Sequence, residues 1–223
     1  MAYKTCVTLT ESSPAKLSGL LKTTLKRSDY VEIRFDFMEP NKVPIALNLV
    51  KKCLRRCICT LRPRSEGGKF SGNEKNRISI LKLIAEYNPY LLDVEYNTLR
   101  KNKSFYQYLK KTKTNLLISW HDFVKTPNIS YLKTMEKSMV KFSKNIKIVT
   151  TARSIKDTLN ILSLYKSQSK TNLIAFAMGD YGRMSRILCT QLGSPYTYVS
   201  LGKPVAPGQF GLDEIKSIFE LRQ

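Results

Sequence analysis

The sequence predicts an α/β protein: a (β/α)8 TIM barrel occupying residues 1–223 as a single domain. Three observations predict it. Short β-branched apolar runs recur eight times, stretches with helical periodicity separate them, and the 223-residue length is one that such barrels fill as a single unit. The runs are continuous rather than alternating, as parallel strands covered on both faces require, and right-handed helical crossovers connect strands of that kind. The competing open doubly wound sheet would place a glycine-rich phosphate loop after an early strand. After Leu9 the chain instead reads TESSPAKL, where Ser12 or Ser13 followed by Pro14 starts a helix.

The strand-like runs are 5–9, 30–35, 57–61, 90–94, 116–120, 146–150, 173–178 and 196–200. Between them, Leu17, Leu20, Leu21 and Leu25, then Ile78, Leu81, Ile84 and Ala85, then Ile155, Leu159, Leu162 and Tyr165 recur at helical spacing. A composition of 42% hydrophobic and 25% charged residues supports a packed core and argues against a disordered chain. No apolar run approaches the roughly 18 residues of a membrane span. The start, MAYKTCVTLTESS, lacks the basic, apolar and small-residue regions of a leader. The expectation is an untargeted, soluble, cytoplasmic protein whose five cysteines stay reduced. Cys53, Cys57 and Cys59 cluster, but no fourth ligand lies nearby, and Cys57 and Cys59 sit inside an apolar run as small core residues do, so no metal site is expected.

A barrel carries its function at the carboxyl ends of its strands. The second run, VEIRFDF, sends Glu32, Arg34 and Asp36 to one face by period-two geometry. Three charges there are costly unless paired or functional. The third run ends at Arg62, with Glu66, Gly67 and Gly68 beyond it; the fourth ends in Asp93 and Glu95 on one face. The fifth ends at His121, the one histidine in the chain, whose type suits proton transfer near neutral pH. In the sixth, Lys147 lies between Ile146 and Ile148, where loss of water favours the neutral, nucleophilic amine. The seventh offers Phe176 and Met178 on one face, then leads to Arg186; the loop after the last presents Gln209. One amine, one imidazole, carboxylates and guanidiniums at one mouth fit imine chemistry: Lys147 condenses with a ketone and His121 moves the proton.

The strings VEIRFDF, TLRPRSEGG, LLDVEYN, SWHDFVKTP, IKIVTTA, AMGDYGRMSR and LGSPYTYVSLGKPVAPGQ together resemble type I 3-dehydroquinate dehydratase, in order and across nearly the whole chain. The resemblance implies a homodimeric (β/α)8 barrel of the shikimate pathway. Its reaction would dehydrate 3-dehydroquinate to 3-dehydroshikimate without metal or organic cofactor. It implies that Lys147 is the Schiff-base lysine, His121 the general acid/base, and Glu66 the carboxylate that pairs with that histidine. By the same resemblance Arg186 grips the substrate carboxylate, and Glu32, Arg34, Arg62 and Gln209 hold its hydroxyls and carboxylate. Met178 and Tyr198 fall where the family lines its pocket. The chain departs from the family at Val205, where Ser or Thr commonly precedes Ala-Pro-Gly-Gln.

Two other readings compete. Another Schiff-base barrel, an aldolase or transaldolase, would share the lysine but use a different proton relay. A nucleic-acid-binding protein would exploit the net charge of +21. Residues 100–170 hold 16 basic and 3 acidic side chains, but no binding motif interleaves them with aromatics, so no specific nucleic-acid partner is expected. Nonspecific binding to duplex DNA is expected at low salt and lost as salt approaches physiological strength, as a fluorescence-anisotropy titration would show. Tight binding that survives physiological salt would instead support a nucleic-acid function.

Overall fold

The protein is described by a computed structural model over residues 3–166 and 171–220. Residues 1–2, 167–170 and 221–223, which the expected 1–223 domain and the basic stretch ending at Lys170 take in, lie outside the described residues. In chain order the first half comprises β1 (Thr5–Leu9), α1 (Pro14–Thr24), β2 (Tyr30–Arg34), α2 (Val43–Val50), β3 (Cys57–Thr60), α3 (Glu74–Glu86), β4 (Leu91–Glu95), α4 (Tyr96–Lys101) and α5 (Lys103–Lys111). The second comprises β5 (Leu116–His121), α6 (Ile129–Val140), β6 (Asn145–Thr151), α7 (Ile155–Leu162), β7 (Asn172–Met178), α8 (Ser185–Gln191), β8 (Thr197–Ser200) and α9 (Leu212–Glu220).

The eight strands form one sheet in the order β7-β6-β5-β4-β3-β2-β1-β8. Chain neighbours are sheet neighbours and the last strand returns beside the first, which is the strand order of a (β/α)8 barrel. Within this order the chain divides into two compact units, Thr8–Leu117 and Met1–Val7 with Ile118–Gln223.

In Thr8–Leu117, β2, β3 and β4 run parallel, with Arg34 opposite Thr60 and Thr60 opposite Asp93. That register brings three polar strand ends to one level. Pro14 opens α1, where its missing N–H costs nothing. The helix then buries Leu17, Leu21 and Thr24, while Leu20 and Leu25 stay half-buried. α3 starts at Asn73, whose side chain accepts from Asn76 N at 2.8 Å, satisfying one of the amides left open at a helix start. It buries Leu81, Ile84 and Ala85 as the spacing predicts, and with them Arg77. One difference concerns β2: the strand ends at Arg34, and Phe35–Phe37 turn as a short 3-10 helix. Asp36 therefore leaves the strand face.

In the other unit, β6 and β7 are parallel over seven pairs, from Asn145 opposite Asn172 to Thr151 opposite Met178. α7 corrects the sequence reading. It is capped by Ser154, whose hydroxyl accepts from Asp157 N at 3.3 Å, and it buries Thr158, Ile161 and Leu162. Ile155 and Leu159, assigned above to the covered stripe, are 68% and 61% exposed. The helix is short and continues into a 3-10 turn over Ser163–Lys166, so the covered face follows Leu162 and Leu164 rather than the start of the helix.

Tyr165, in that turn, ties to the centre of β7. Its hydroxyl accepts from Ala175 N at 2.6 Å and donates to Ala175 O at 3.2 Å. Tyr165→Phe removes both bonds while keeping the ring, and is expected to cost about 1–3 kcal/mol of stability in urea unfolding.

Candidate active site

In the unit Thr8–Leu117 the strand ends build a network of buried ion pairs. Glu32, in β2, accepts from Thr8 of β1 at 3.1 Å on one oxygen and from Thr60 of β3 at 2.9 Å on the other. Hydroxyl donors thus fix its carboxylate plane. Arg34 makes a two-pronged pair with Asp36, both bonds 2.8 Å, and Asp36 also accepts from Lys69 N at 2.9 Å. The 3-10 turn that removes Asp36 from the strand is what folds it back onto Arg34. Parity alone placed the two side by side; it gave no sign that one holds the other.

Arg62 is buried one residue beyond Leu61 and donates to Asp93 at 2.6 Å and to Glu95 at 2.7 Å. Those carboxylates keep it cationic against the opposing effect of burial. Glu66 ends the short helix Arg64–Glu66 and is buried. The two glycines after it have separate causes. Gly67 is left-handed at φ 76°, a conformation glycine adopts without strain. At Gly68 a Cβ would lie 1.9 Å from the carbonyl oxygen of Arg62, so this loop closes against the Arg62 backbone only without a side chain. Burial first, then the charge of Glu95, pushes the Glu66 carboxyl up to about 7, with Arg62 pulling the other way.

In the other unit, Lys147 is 4% exposed in β6, and its Nζ lies 4.7 Å from the centre of the Tyr198 ring in β8. His121 closes β5, half-buried and stacked on Phe123 at 6.2 Å. The next residue holds that strand end in place: Asp122 N donates to Val149 O at 2.9 Å, and Thr151 Oγ1 donates to Asp122 O at 3.0 Å. Met178 is the buried last residue of β7, and Gln209 is buried in the loop after β8. The Gln209 side-chain oxygen accepts from Val205 N at 2.9 Å and Ala206 N at 3.3 Å, shaping that loop. The contact to Val205 uses its backbone, so it does not depend on the hydroxyl side chain common there.

Arg186 differs from Arg62 in kind. It is 2% exposed in α8, has no carboxylate partner among the described residues, and lies over the Phe176 ring at 4.4 Å. Its Nη2 donates to Pro207 O at 3.1 Å, its Nε has no partner, and burial lowers it to about 10. A buried guanidinium held by a ring face and one carbonyl is a strong anion receptor, because an incoming carboxylate meets a charge that nothing has neutralised.

Sequence reasoning placed Arg62 and His121 at strand ends, Glu66 just beyond one, Lys147 inside the sixth strand and Arg186 in the helix after the seventh. In Thr8–Leu117 the charge of Glu66 acts on Arg62; in the other unit Arg186 lies over Phe176 and Lys147 over Tyr198, two rings 6.3 Å apart. The sequence reading missed the hydroxyls of Thr8 and Thr60 and the buried Arg77. A basic residue four positions before Leu81 on the covered stripe of α3 was the available signal for Arg77. Among the described residues, no group of three His, Cys, Asp or Glu side chains is disposed to hold a metal ion, and no helix is long and apolar enough to cross a membrane.

The raised Glu66 carboxyl fixes the sign of a pH effect. Between its ordinary 4.5 and about 7 the folded state binds the proton more tightly than the unfolded chain, so stability present below that window is lost as pH rises through it. The loss is on the order of 3 kcal/mol. Relative to the native protein, Glu66→Gln is therefore expected to gain stability between pH 5 and pH 8 in urea unfolding; an offset equal at both values would contradict the assignment.

Comparison with known proteins agrees with the geometry. Residues 5–223 match the family described as Type I 3-dehydroquinase. A 3-dehydroquinate dehydratase of Dehalococcoides mccartyi is 38% identical over 202 residues, 88% of each chain. Another, from Methanocaldococcus jannaschii, is 32% identical over 219 residues, 97% of each. The crystal structure of 3-dehydroquinate dehydratase from Geobacillus kaustophilus has the same fold, with a TM-score of 0.89 at 20% identity over 99% of this chain and 91% of that one. The chain belongs to the type I 3-dehydroquinase family.

Proposed function

We propose that this protein is a hydro-lyase that removes water from 3-dehydroquinate to give 3-dehydroshikimate, through an imine on Lys147. The observation that carries the reading is Arg186, a cation buried without a carboxylate partner among the described residues, in the same compact unit as the buried amine. Such a pair suits a substrate that is both a ketone and a carboxylate.

The Lys147 amine adds to the ketone carbon, and the former carbonyl oxygen leaves as water to form an iminium. The iminium withdraws electrons from the adjacent carbon, and His121 takes its proton to leave an enamine. Electrons returning from the enamine expel the hydroxyl one carbon further on, which departs as water with the proton that His121 returns. Water then adds to the iminium, and cleavage of the carbon–nitrogen bond frees the conjugated enone and the amine. One water is released on entry and one consumed on exit, so the balance is substrate to product plus water.

In this scheme Arg186 binds the carboxylate as a fork, which suits a planar anion better than a point charge. Glu32, Arg34, Arg62 and Gln209 hold hydroxyls and carboxylate, Met178 and Tyr198 line the apolar side, and Glu66 supports the histidine's proton transfer. The chemistry calls on no cofactor. The same family resemblance supports a single catalytic domain, a homodimer and a place in the cytoplasmic shikimate pathway.

Ultraviolet absorbance of the enone carboxylate tests the reading: it is expected to grow when enzyme meets 3-dehydroquinate without added metal, and to fail in Lys147→Ala. His121→Ala is expected to lower turnover by about 10²–10⁴-fold. No product from the native protein, or aldol cleavage of a sugar phosphate instead, would overturn it.

A further inference from the structure

We propose that Arg77 is a positioning residue for the substrate site. It holds one oxygen of Glu95 so that the other oxygen, together with Asp93, fixes the guanidinium of Arg62. This rests on the functional reading above, in which Arg62 binds substrate.

Arg77 is 1% exposed on α3, and all five of its N–H donors are used. Its Nε donates to Glu74 Oε2 at 2.8 Å, and its Nη1 to Glu95 Oε2 at 2.7 Å and Leu61 O at 3.0 Å. Its Nη2 donates to Glu74 Oε1 at 2.8 Å and Thr98 Oγ1 at 2.5 Å. With no donor left over, this guanidinium has nothing to offer a ligand.

Its partners show what it does instead. Glu95 divides its oxygens between two arginines, Oε1 to Arg62 at 2.7 Å and Oε2 to Arg77 at 2.7 Å. Leu61, whose carbonyl Arg77 also holds, is the residue before Arg62. Arg77 therefore fixes Arg62 twice, through the backbone behind it and through the carboxylate that grips its side chain. The outer end of the clamp is Glu74, half-exposed at the start of α3 and also bonded by Thr98 of α4.

A lysine in place of Arg77 would keep the charge but could not span Glu95, Glu74, Thr98 and the Leu61 carbonyl at once. Without a cation at this point, Glu95 would have Arg62 as its remaining guanidinium partner and would draw it away from substrate.

Steady-state kinetics on the full chain, with thermal unfolding of each variant, test this. Arg77→Gln is expected to raise KM for 3-dehydroquinate about tenfold or more with kcat changed less than about threefold. Arg77→Lys is expected to recover part of the loss, and Glu74→Gln to raise KM about two- to threefold. In an Arg62→Gln background, Arg77→Gln is expected to add no further rise, since the group it positions is already gone. A merely structural arginine would lower the melting temperature, leave KM unchanged and add its effect independently of Arg62; that result overturns the proposal. If Arg77→Gln does not fold, Glu74→Gln and Thr98→Val decide, and an unchanged KM in both overturns it equally. A native protein inactive on 3-dehydroquinate would sink the functional reading and this proposal together, whereas an active one with unmoved KM values would sink the proposal alone.

Discussion

A basic side chain carried into the interior loses its water, and the protein meets that cost in two ways. In Thr8–Leu117 it pairs the charge: Arg34 with Asp36, Arg62 with Asp93 and Glu95, Arg77 with Glu95 and Glu74. In the unit containing Ile118–Gln223, aromatic faces lie against buried basic side chains, Phe176 under Arg186 and Tyr198 under Lys147. Coulomb attraction in a poorly screened interior makes the first solution rigid. A ring face offers far less stabilisation than a carboxylate, so Arg186 retains its capacity to bind an anion.

This division bears on chemistry. A carboxylate beside Arg186 would occupy the donors that a substrate carboxylate needs. The paired network serves a different purpose: it fixes directions. Arg62 has three buried carboxylates acting on it, Asp93, Glu95 and Glu66, and the excess of negative charge around Glu66 is part of what raises that carboxyl. Burial is the larger cause, and the like charges of Glu95 and Asp93 add to it, so the carboxyl stands near neutrality even with Arg62 close by.

The strands were legible because runs of β-branched residues bounded by polar turns have few other ways to be buried. Their bounds moved by a residue or so, as where β5 takes in His121 and β4 takes in Glu95. Helix faces were less legible. Leucines at 17 and 21 point to a covered side because polar residues occupy the others, but in α7 apolar residues stand on two sides and Ile155 and Leu159 went to the exposed one. In the site, His121 and Arg62 were marked by their place at strand ends, Lys147 by its isoleucine neighbours inside the sixth strand, and Arg186 by the helix after the seventh. Partnership was not readable in the same way: Asp36 reaches Arg34 through a 3-10 turn, and Arg77 reaches Leu61 and Glu95 from 16 and 18 residues away in the chain. Those pairings depend on backbone geometry that no local spacing encodes.

The most direct test of the account is to reduce the protein with borohydride in the presence of 3-dehydroquinate and map the adduct by peptide mass spectrometry. The account predicts one stable secondary amine, on Lys147 in the β6 peptide. Reduction that leaves Lys147 unmodified while turnover proceeds, or an adduct confined to another lysine, would contradict it.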